Sequence, residues 1–273
     1  MSDVPDPSFI PAFEDLDFLK REDLRPVRLM LELMKADRLL REAGIHSTVV
    51  VFGSARTQEP AIANAQLAEA RNRLEQNPGD AACERAVGAA LRIAANAEYY
   101  DIAREFGRIV STACQTDGQC DYVIATGGGP GIMEAANRGA HDAGAKTVGF
   151  DIVLPHEQRP NPYITRGLGF TFRYFAIRKM HFMLRAKALV AFPGGFGTID
   201  ELFETLTLVQ TGKVQHLPVV LVGRAFWEKT LNFPHLVEEG LIGPEDLHWF
   251  HYADTADEAW RHIVDHYAED GTA

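Results

Sequence analysis

Short apolar runs alternate with longer amphipathic segments along most of this chain. The run STVVVFG at 47–53 is rich in β-branched residues and lacks the polar alternation of a half-exposed strand, so it predicts a fully buried strand. Comparable runs recur after residue 120, and all except 147–154 are followed by a helical pattern. The predicted strands are 47–53, 122–126, 147–154, 169–172, 188–192 and 217–223, with a short extended piece near Phe250.

The helical segments differ in how clearly their ends are marked. Residues 24–43 carry a broad apolar stripe that ends before Gly44, a typical C-terminal cap residue. The Ala-rich region 58–113 is interrupted at Asn77-Pro78-Gly79-Asp80, which predicts two helices separated by a turn. Residues 1 to about 20 are expected to form an irregular arm. Further helices are predicted at 131–143, 174–185, 197–211, 226–239 and 256–267.

Buried strands that alternate with amphipathic helices indicate an α/β fold with a doubly wound, mainly parallel, Rossmann-like sheet. Right-handed crossovers place the strand-to-helix loops together at the carboxyl edge of such a sheet. We expect residues 1–45 to form an N-terminal arm and helix. Residues 46–273 are expected to form a single Rossmann-like nucleotide-binding catalytic domain with a helical insertion at 58–98.

The amino-acid composition limits which ligands, which cysteine chemistry and which cellular location we expect for this protein. The 273 residues carry a formal charge of −11, which disfavours binding to polymeric nucleic acid or to an anionic membrane. The three cysteines lack CxxC spacing, so we expect neither a disulfide framework nor a zinc site. The acidic, proline-containing start does not resemble a signal peptide, and no apolar run reaches about 18 residues. We therefore expect a cytoplasmic protein.

The first of two glycine-rich turns reads TGGGPGIME over residues 126–134, where a predicted strand gives way to a helix. Glycines allow a ligand to approach the backbone closely, and free N–H groups at a helix start attract anions. Ile132 stands where GxGxxG requires its third glycine, and no GK[ST] ending follows, so dinucleotide and ATP-hydrolase sites lose support. The candidate substrate-binding residues here are Gly127, Gly128, Gly129, Gly131 and Glu134.

The second turn reads PGGFGTIDE over residues 193–201 and again opens a helix after an apolar strand. Helix capping would explain one such turn, since acids favour the first turn of a helix in any case. Two turns at the same edge of a parallel sheet favour phosphate or nucleotide binding. The candidate substrate-binding residues here are Gly194, Gly195, Gly197, Thr198 and Asp200, together with Lys179 from the preceding helix.

Charge is distributed unevenly between the two turns. Residues 158–199 contain no Asp or Glu and carry +7, so the rest of the chain carries −18. Snorkelling side chains around an apolar helix are one explanation. The length of the acid-free span favours a local basic wall beside the turns. The basic residues are Arg159, Arg166, Arg173, Arg178, Lys179, Arg185 and Lys187.

The motifs GGGPGIMEAANRGA and PGGFGTIDELFE, with Arg178-Lys179 between them, resemble those of the LONELY GUY family. Its members are cytokinin-activating nucleoside 5′-monophosphate phosphoribohydrolases, and some bacterial relatives carry the label "lysine decarboxylase". The resemblance covers residues 47–223, and the PGGxGTxxE motif is specific. Glu134, where plant-type members usually have glycine, and the insertion at 58–98 favour a longer bacterial form that acts on AMP or a similar nucleotide.

The resemblance implies hydrolysis of the N-glycosidic bond to free base and ribose 5-phosphate, without a cofactor or a metal. It assigns Arg178 and Glu201 as the catalytic pair and the two glycine turns as the phosphate site. We expect Arg178 to keep Glu201 ionised, and Glu201 to stabilise a cationic C1′, to engage the ribose hydroxyls or to activate water. The family also implies a homodimer or higher homo-oligomer. The apolar helices at 174–186 and 202–210 could supply its surface, but core packing explains their apolar character equally well.

One alternative hypothesis for the function stays open, and two others are disfavoured. A non-catalytic nucleotide or molybdenum-cofactor carrier would keep the glycine turns without needing Arg178 and Glu201. His248 with His251, and His262 with His266, have helical spacing for metal chelation, but no third ligand is suggested nearby. Lysine decarboxylation is disfavoured because no setting for a cofactor lysine is visible.

Overall fold

The computed structural model of this chain describes residues 7–116, 120–154 and 159–269. Its strands form a parallel sheet in the order β4-β3-β2-β1-β5-β6-β7. The strands are β1 (Thr48–Phe52), β2 (Val123–Thr126), β3 (Thr147–Ile152), β4 (Gly169–Phe172), β5 (Ala186–Ala191), β6 (Val219–Val222) and β7 (Phe250–Ala253).

Helices cover both faces of the sheet and account for most of the remaining chain. The described part of the chain contains short 3-10 helices at Pro7–Phe9, Glu22–Leu24 and Pro244–Trp249. The α-helices are α1 (Leu16–Leu19), α2 (Arg25–Glu42), α3 (Pro60–Gln76), α4 (Ala81–Ala95), α5 (Glu98–Cys114), α6 (Ile132–Asp142), α7 (Phe175–Leu184), α8 (Phe196–Gln210), α9 (Arg224–Thr230), α10 (Phe233–Glu238) and α11 (Ala256–Glu269).

The sheet is doubly wound about its central strand, which confirms the predicted fold class. β1 pairs with β2 on one side and with β5 on the other, so that Val50 lies opposite both Ala125 and Leu189. From β1 the chain order runs outward to β4 in one direction and to β7 in the other. A reversal of this kind opens a crevice at the carboxyl ends of the strands, between β1 and β5.

The buried strand β1 divides its side chains between two hydrophobic layers. All five of its residues are buried, as the apolar run predicts. Because successive strand side chains point to opposite faces, Val49 and Val51 pack into the layer that contains Phe106 of α5, whereas Val50 packs into the layer that contains Trp227 of α9. Burial on both faces explains why the run shows no polar alternation.

Two predicted helices are in fact broken. The region 58–113 contains three helices instead of two. The turn at residues 77–80 is present, with Gly79 at φ +82° and Asp80 accepting a hydrogen bond from the backbone N–H of Ala82 at 2.6 Å. A second break follows Asn96, whose side-chain amide donates to the Arg92 carbonyl at 2.7 Å. Neither Gly nor Pro marks that break, so the sequence pattern misses it.

The predicted helix at 226–239 is likewise two helices, α9 and α10. Asn232 interrupts it by accepting a hydrogen bond from the backbone N–H of His235 at 3.2 Å, and Pro234 sits in the first turn of α10. An asparagine that caps the N-terminus and a proline in the first turn are both typical of the start of a helix. The predicted irregular arm also differs from the structure, since it includes α1 and a 3-10 turn.

The N-terminal helix α2 docks on the helix that carries Arg178. Asp37 of α2 lies 2.6 Å from the Arg185 guanidinium, just beyond α7, and Glu32 accepts a hydrogen bond from the backbone N–H of Arg173 at 3.0 Å. The division into an arm at 1–45 and a domain at 46–273 stays a prediction. Among the described residues, no helix combines the length and apolar character needed to cross a membrane.

Candidate active site

Three loops meet at the carboxyl edge of the sheet, one after each of β1, β2 and β5. Ser54, in the loop after β1, connects the other two. Its backbone N–H donates to the Pro193 carbonyl at 3.0 Å, and its own carbonyl accepts from the N–H of Ile132 at 3.1 Å. The two glycine-rich turns are therefore neighbours, as their positions after parallel strands predict.

The first turn requires glycine at defined points. Gly128 and Gly131 have φ values of +75° and +73°, in the left-handed region that disfavours side chains. A Cβ on Gly131 would also collide with the Ser54 carbonyl and the Ala55 backbone. The Gly128 N–H donates to the Thr126 hydroxyl at 3.0 Å, so this amide serves the turn itself.

A buried network of amide side chains holds the first turn from below. The Asn161 side chain donates to the Gly129 carbonyl at 3.1 Å and to Asn137 Oδ1 at 2.9 Å. Asn137 Oδ1 also accepts from the Thr126 hydroxyl at 2.7 Å, and Asn137 Nδ2 donates to the Thr147 hydroxyl. Sequence reasoning misses both asparagines, since Asn137 falls within GGGPGIMEAANRGA but beyond the turn itself, and Asn161 lies in a separate segment.

The second turn has a more open structure. Gly195 precedes α8, and a Cβ built on Gly195 or on Gly197 would meet nothing within 4 Å. Thr198 is buried, and its side chain fills the space that a Cβ on Gly194 would need. Phe196, at the tip of the turn, is 93% exposed. Gly194 and Thr198 are thus closely packed against each other, whereas Gly195 and Gly197 border open space.

Arg178 of α7 extends to the first turn and is held in place there. Its Nε donates to the Phe150 carbonyl at 2.7 Å, and its guanidinium lies over the Phe182 ring at 5.2 Å from the centroid. Nη2 is 2.6 Å from the point where a Cβ of Gly127 would stand, so the glycine makes room for the guanidinium. Burial lowers the pKa of Arg178, while the charges of Glu201 and Asp151 act in the opposite direction.

Glu201 lies in the second turn of α8 and is only 6% exposed. Burial raises the pKa of its carboxyl from 4.5 to about 7, with the positive charges of Lys179 and Arg178 opposing the rise and Glu204 and Asp200 adding to it. The expectation that Arg178 keeps Glu201 ionised is therefore corrected. Desolvation outweighs the neighbouring positive charges, and near neutral pH the carboxyl exchanges its proton readily.

Lys179 and Asp200, both predicted to bind substrate, are paired with each other. Lys179 Nζ lies 2.8 Å from Asp200 Oδ2 and 3.2 Å from Glu204 Oε2. Burial alone would lower the pKa of Lys179, but its hydrogen bonds and the nearby carboxylates raise it on balance. The pair fixes α7 against α8 next to Glu201. A role in substrate binding stays a prediction for both residues.

Glu134, a further candidate, connects α6, which follows the first turn, to α5. It accepts a hydrogen bond from the Tyr100 hydroxyl at 3.2 Å, and burial raises the pKa of that phenol to about 12. Arg138, one turn further along α6, pairs with Glu59 at 3.1 Å, just before α3. Glu134 thus accepts a hydrogen bond from the protein itself, and its contact with substrate stays a prediction.

Asp151, near the end of β3, is a residue that sequence reasoning missed. Burial raises the pKa of its carboxyl, while a hydrogen bond from the Ile152 N–H, 2.8 Å long, and the Arg178 charge act in the opposite direction. Its position at the carboxyl end of a strand is the signal that could have identified it. The charges of two carboxylates, Asp151 and Glu201, therefore act on the Arg178 guanidinium.

The predicted basic wall is only partly assembled at the site. Arg185 pairs with Asp37, and Lys187 lies over the Tyr267 ring at 5.5 Å, so both are engaged elsewhere. His181 is buried against the Phe150 and Phe172 rings, as an ordinary helix position would be. The part of the chain that the structure describes contains no cluster of three or more potential metal ligands.

The sheet and the turns at its carboxyl edge define a Rossmann-like α/β protein. Residues 133–263 match a family model described as "possible lysine decarboxylase". The chain is 33% identical over 136 residues to the rice (Oryza sativa subsp. japonica) "probable cytokinin riboside 5'-monophosphate phosphoribohydrolase LOG4", covering 48% of this chain and 57% of that protein. It is 30% identical over 153 residues to the rice "cytokinin riboside 5'-monophosphate phosphoribohydrolase LOG", covering 55% of this chain and 59% of that protein.

Part of the chain is therefore similar in sequence to proteins described as cytokinin riboside 5′-monophosphate phosphoribohydrolases, in line with the resemblance to the LONELY GUY family. The aligned part spans little more than half the length of these curated relatives. A solved structure of the Moco carrier protein from Chlamydomonas reinhardtii is similar with a TM-score of 0.44 and 20% identity, covering 82% of this chain and 98% of that one. Likeness at this level says nothing about the ligand of this chain.

Proposed function

We propose that this protein hydrolyses the N-glycosidic bond of AMP-like nucleoside 5′-monophosphates, yielding free base and ribose 5-phosphate. The observation that carries the proposal is the buried Glu201 carboxyl, whose pKa of about 7 suits proton transfer near neutral pH. It lies in the same region as the Arg178 guanidinium and two helix starts preceded by glycine turns. Resemblance to named phosphoribohydrolases supports the same reaction.

In this proposal the starts of α6 and α8 hold the 5′-phosphate through backbone N–H groups, and Thr198 assists with its hydroxyl. The C1′–N bond breaks and leaves an oxocarbenium-like C1′. Glu201 takes a proton from the attacking water, whose oxygen forms the new bond to C1′, while the base departs with a proton from solvent. Arg178, held by Phe150 and Phe182, orients the ribose or the leaving base.

The test is release of adenine from AMP by the purified protein, followed by chromatography. Removing a general base costs roughly 100- to 10,000-fold in rate, so we expect Glu201→Ala to lose activity on that scale. Glu238→Ala, which changes an exposed glutamate on α10, is the matched control and retains the parental rate. Equal rates in the parent and Glu201→Ala would refute the proposal.

The competing outcome is a non-catalytic carrier of nucleotide or molybdenum cofactor. Tight binding of a nucleotide, without release of free base across a panel of purine and pyrimidine monophosphates, would favour it. The same panel reports the preferred base and includes cytokinin riboside monophosphates.

We further propose that the protein acts as a homodimer through the surface formed by α7 and α8. Met180 and Leu184 are about half exposed there, and Met183 and Leu208 help to line an open cavity of about 1000 Å³. Exposed apolar surface of this kind is typical of an interface between subunits. Sedimentation velocity should report twice the chain mass, and Met180→Glu should shift the population towards monomer. A monomeric parent protein would contradict the proposal.

A further inference from the structure

Another cavity, of about 390 Å³, opens beside the second glycine turn, and neither Arg178 nor Glu201 lines it. One wall consists of the loops at the carboxyl edge, with Ser54 and Gly194. The opposite wall is the insertion helix α4, with Ile93 and Arg92. The cavity therefore lies near the switch between β1 and β5, where doubly wound sheets bind ligands.

Two arginines give this cavity its charge. Arg56, from the loop after β1, and Arg92, from α4, both line it and are both exposed. Among residues 7–116, 120–154 and 159–269, no carboxylate forms an ion pair with either guanidinium. In a chain with a formal charge of −11, two arginines without acidic partners in one cavity mark a local preference for anions.

The wall that carries Arg92 is fixed to the rest of the fold. Arg138 of α6 pairs with Glu59 at the start of the insertion, at 3.1 Å. At the other end, Tyr99 of α5 packs on Gly223, where a Cβ would lie 2.7 Å from the tyrosine hydroxyl. The segment that carries Arg92 is therefore anchored to the rest of the fold at Glu59, before α3, and at Tyr99, after α4.

We propose that this cavity binds a second phosphate, so that the site accepts nucleoside 5′-diphosphates. The inference rests on the proposed function, which places the 5′-phosphate at the glycine turns. The cavity shares Ser54 and Gly194 with those loops, so a phosphate joined to the first by an anhydride bond would extend towards Arg56 and Arg92. Guanidinium groups suit this role because their planar fork binds phosphate oxygens in pairs.

The test compares the affinities of AMP and ADP for the full chain by titration calorimetry. We expect ADP to bind the parent protein at least as tightly as AMP. Loss of one guanidinium–phosphate contact should lower the ratio of Kd(AMP) to Kd(ADP) roughly tenfold in Arg92→Ala. Arg85→Ala, an exposed arginine on the same helix that does not line the cavity, should leave the ratio unchanged.

Arg56→Lys provides a second variant that keeps the charge but removes the fork, and it should lower the ratio less than Arg92→Ala does. ADP binding more weakly than AMP in the parent protein, or an equal ratio in Arg92→Ala and Arg85→Ala, would overturn the inference. A titration with inorganic pyrophosphate distinguishes failure of this inference from failure of the proposed function. If AMP is neither bound nor hydrolysed, pyrophosphate binding that depends on Arg92 would uphold the anion site while the hydrolase proposal fails.

Discussion

The two glycine turns occupy equivalent places after parallel strands, yet they are built differently. The first is supported by buried asparagines and has glycines at φ +75° and +73°. The second has negative φ at Gly195, an exposed phenyl ring at its tip and open space around Gly195 and Gly197. In the first turn glycine is required by backbone geometry, whereas at Gly195 and Gly197 the protein itself imposes no steric requirement.

The unfavourable energy at the second turn is electrostatic instead. Glu201, in the helix that this turn opens, is buried at a cost that raises the pKa of its carboxyl to about 7. The first turn therefore contains backbone dihedral angles that only glycine adopts readily. The second turn opens a helix that buries a carboxyl group with a raised pKa. Similar glycine-rich motifs can thus serve different purposes, which substitutions at each turn can separate.

The largest effect is expected from Gly131→Ala in the first turn. A side chain there meets both an unfavourable φ and a collision with the Ser54 and Ala55 backbone. Together these cost about 4 kcal/mol of unfolding free energy. Urea unfolding followed by circular dichroism measures this loss. A change below about 1 kcal/mol would show that the turn relaxes easily and would remove the contrast between the turns.

A smaller effect, with a dependence on pH, is expected from Glu201→Gln. A carboxyl whose pKa rises from 4.5 to about 7 on folding contributes stability below pH 4.5, and this contribution is lost as the pH rises through 7. Glutamine does not ionise, so the variant should gain on the parent by up to about 3 kcal/mol between pH 5 and pH 8. Urea unfolding at both pH values tests this.

The exposed substitution Glu238→Gln controls for the replacement of a carboxylate by an amide. A difference between Glu201→Gln and the parent that stays constant from pH 5 to pH 8 would contradict the electrostatic account of the second turn.

The smallest effect is expected from Gly197→Ala, the matched control for Gly131→Ala. Its Cβ enters open space in the first turn of α8, where alanine is a better helix former than glycine. Unfolding free energy should change by less than about 1 kcal/mol, in the stabilising direction. A loss comparable to that of Gly131→Ala would mean that the second turn is as constrained as the first.

The sequence predicts the sheet well because burial dictates it. A run such as Val49-Val50-Val51 has no polar face, and only a strand covered on both sides accommodates it. The missed helix break at Asn96 has a side-chain hydrogen bond to the backbone in place of the Gly or Pro that a pattern reveals, whereas the break at Asn232 combines such a bond with Pro234. Such bonds become apparent only when the surrounding structure is known.

The candidate site shows the same division between local and distant causes. The glycines of both turns can be read from their motifs, since their chemistry is local. Asn161 and Asp151 approach the first turn from other segments of the chain. The raised pKa of Glu201 depends on burial by the whole fold, and no spacing within PGGFGTIDE predicts it.

The central position of β1 has a consequence for synthesis of the chain. Residue 50 pairs with residue 125 and also with residue 189, so one side of this five-residue apolar strand lacks its neighbour until β5 leaves the ribosome. An unpaired edge of this kind is a template for wrong pairing with other chains, and contacts between distant residues form slowly. The arrangement that brings Ser54 between the two glycine turns therefore delays completion of the fold until most of the protein has been translated.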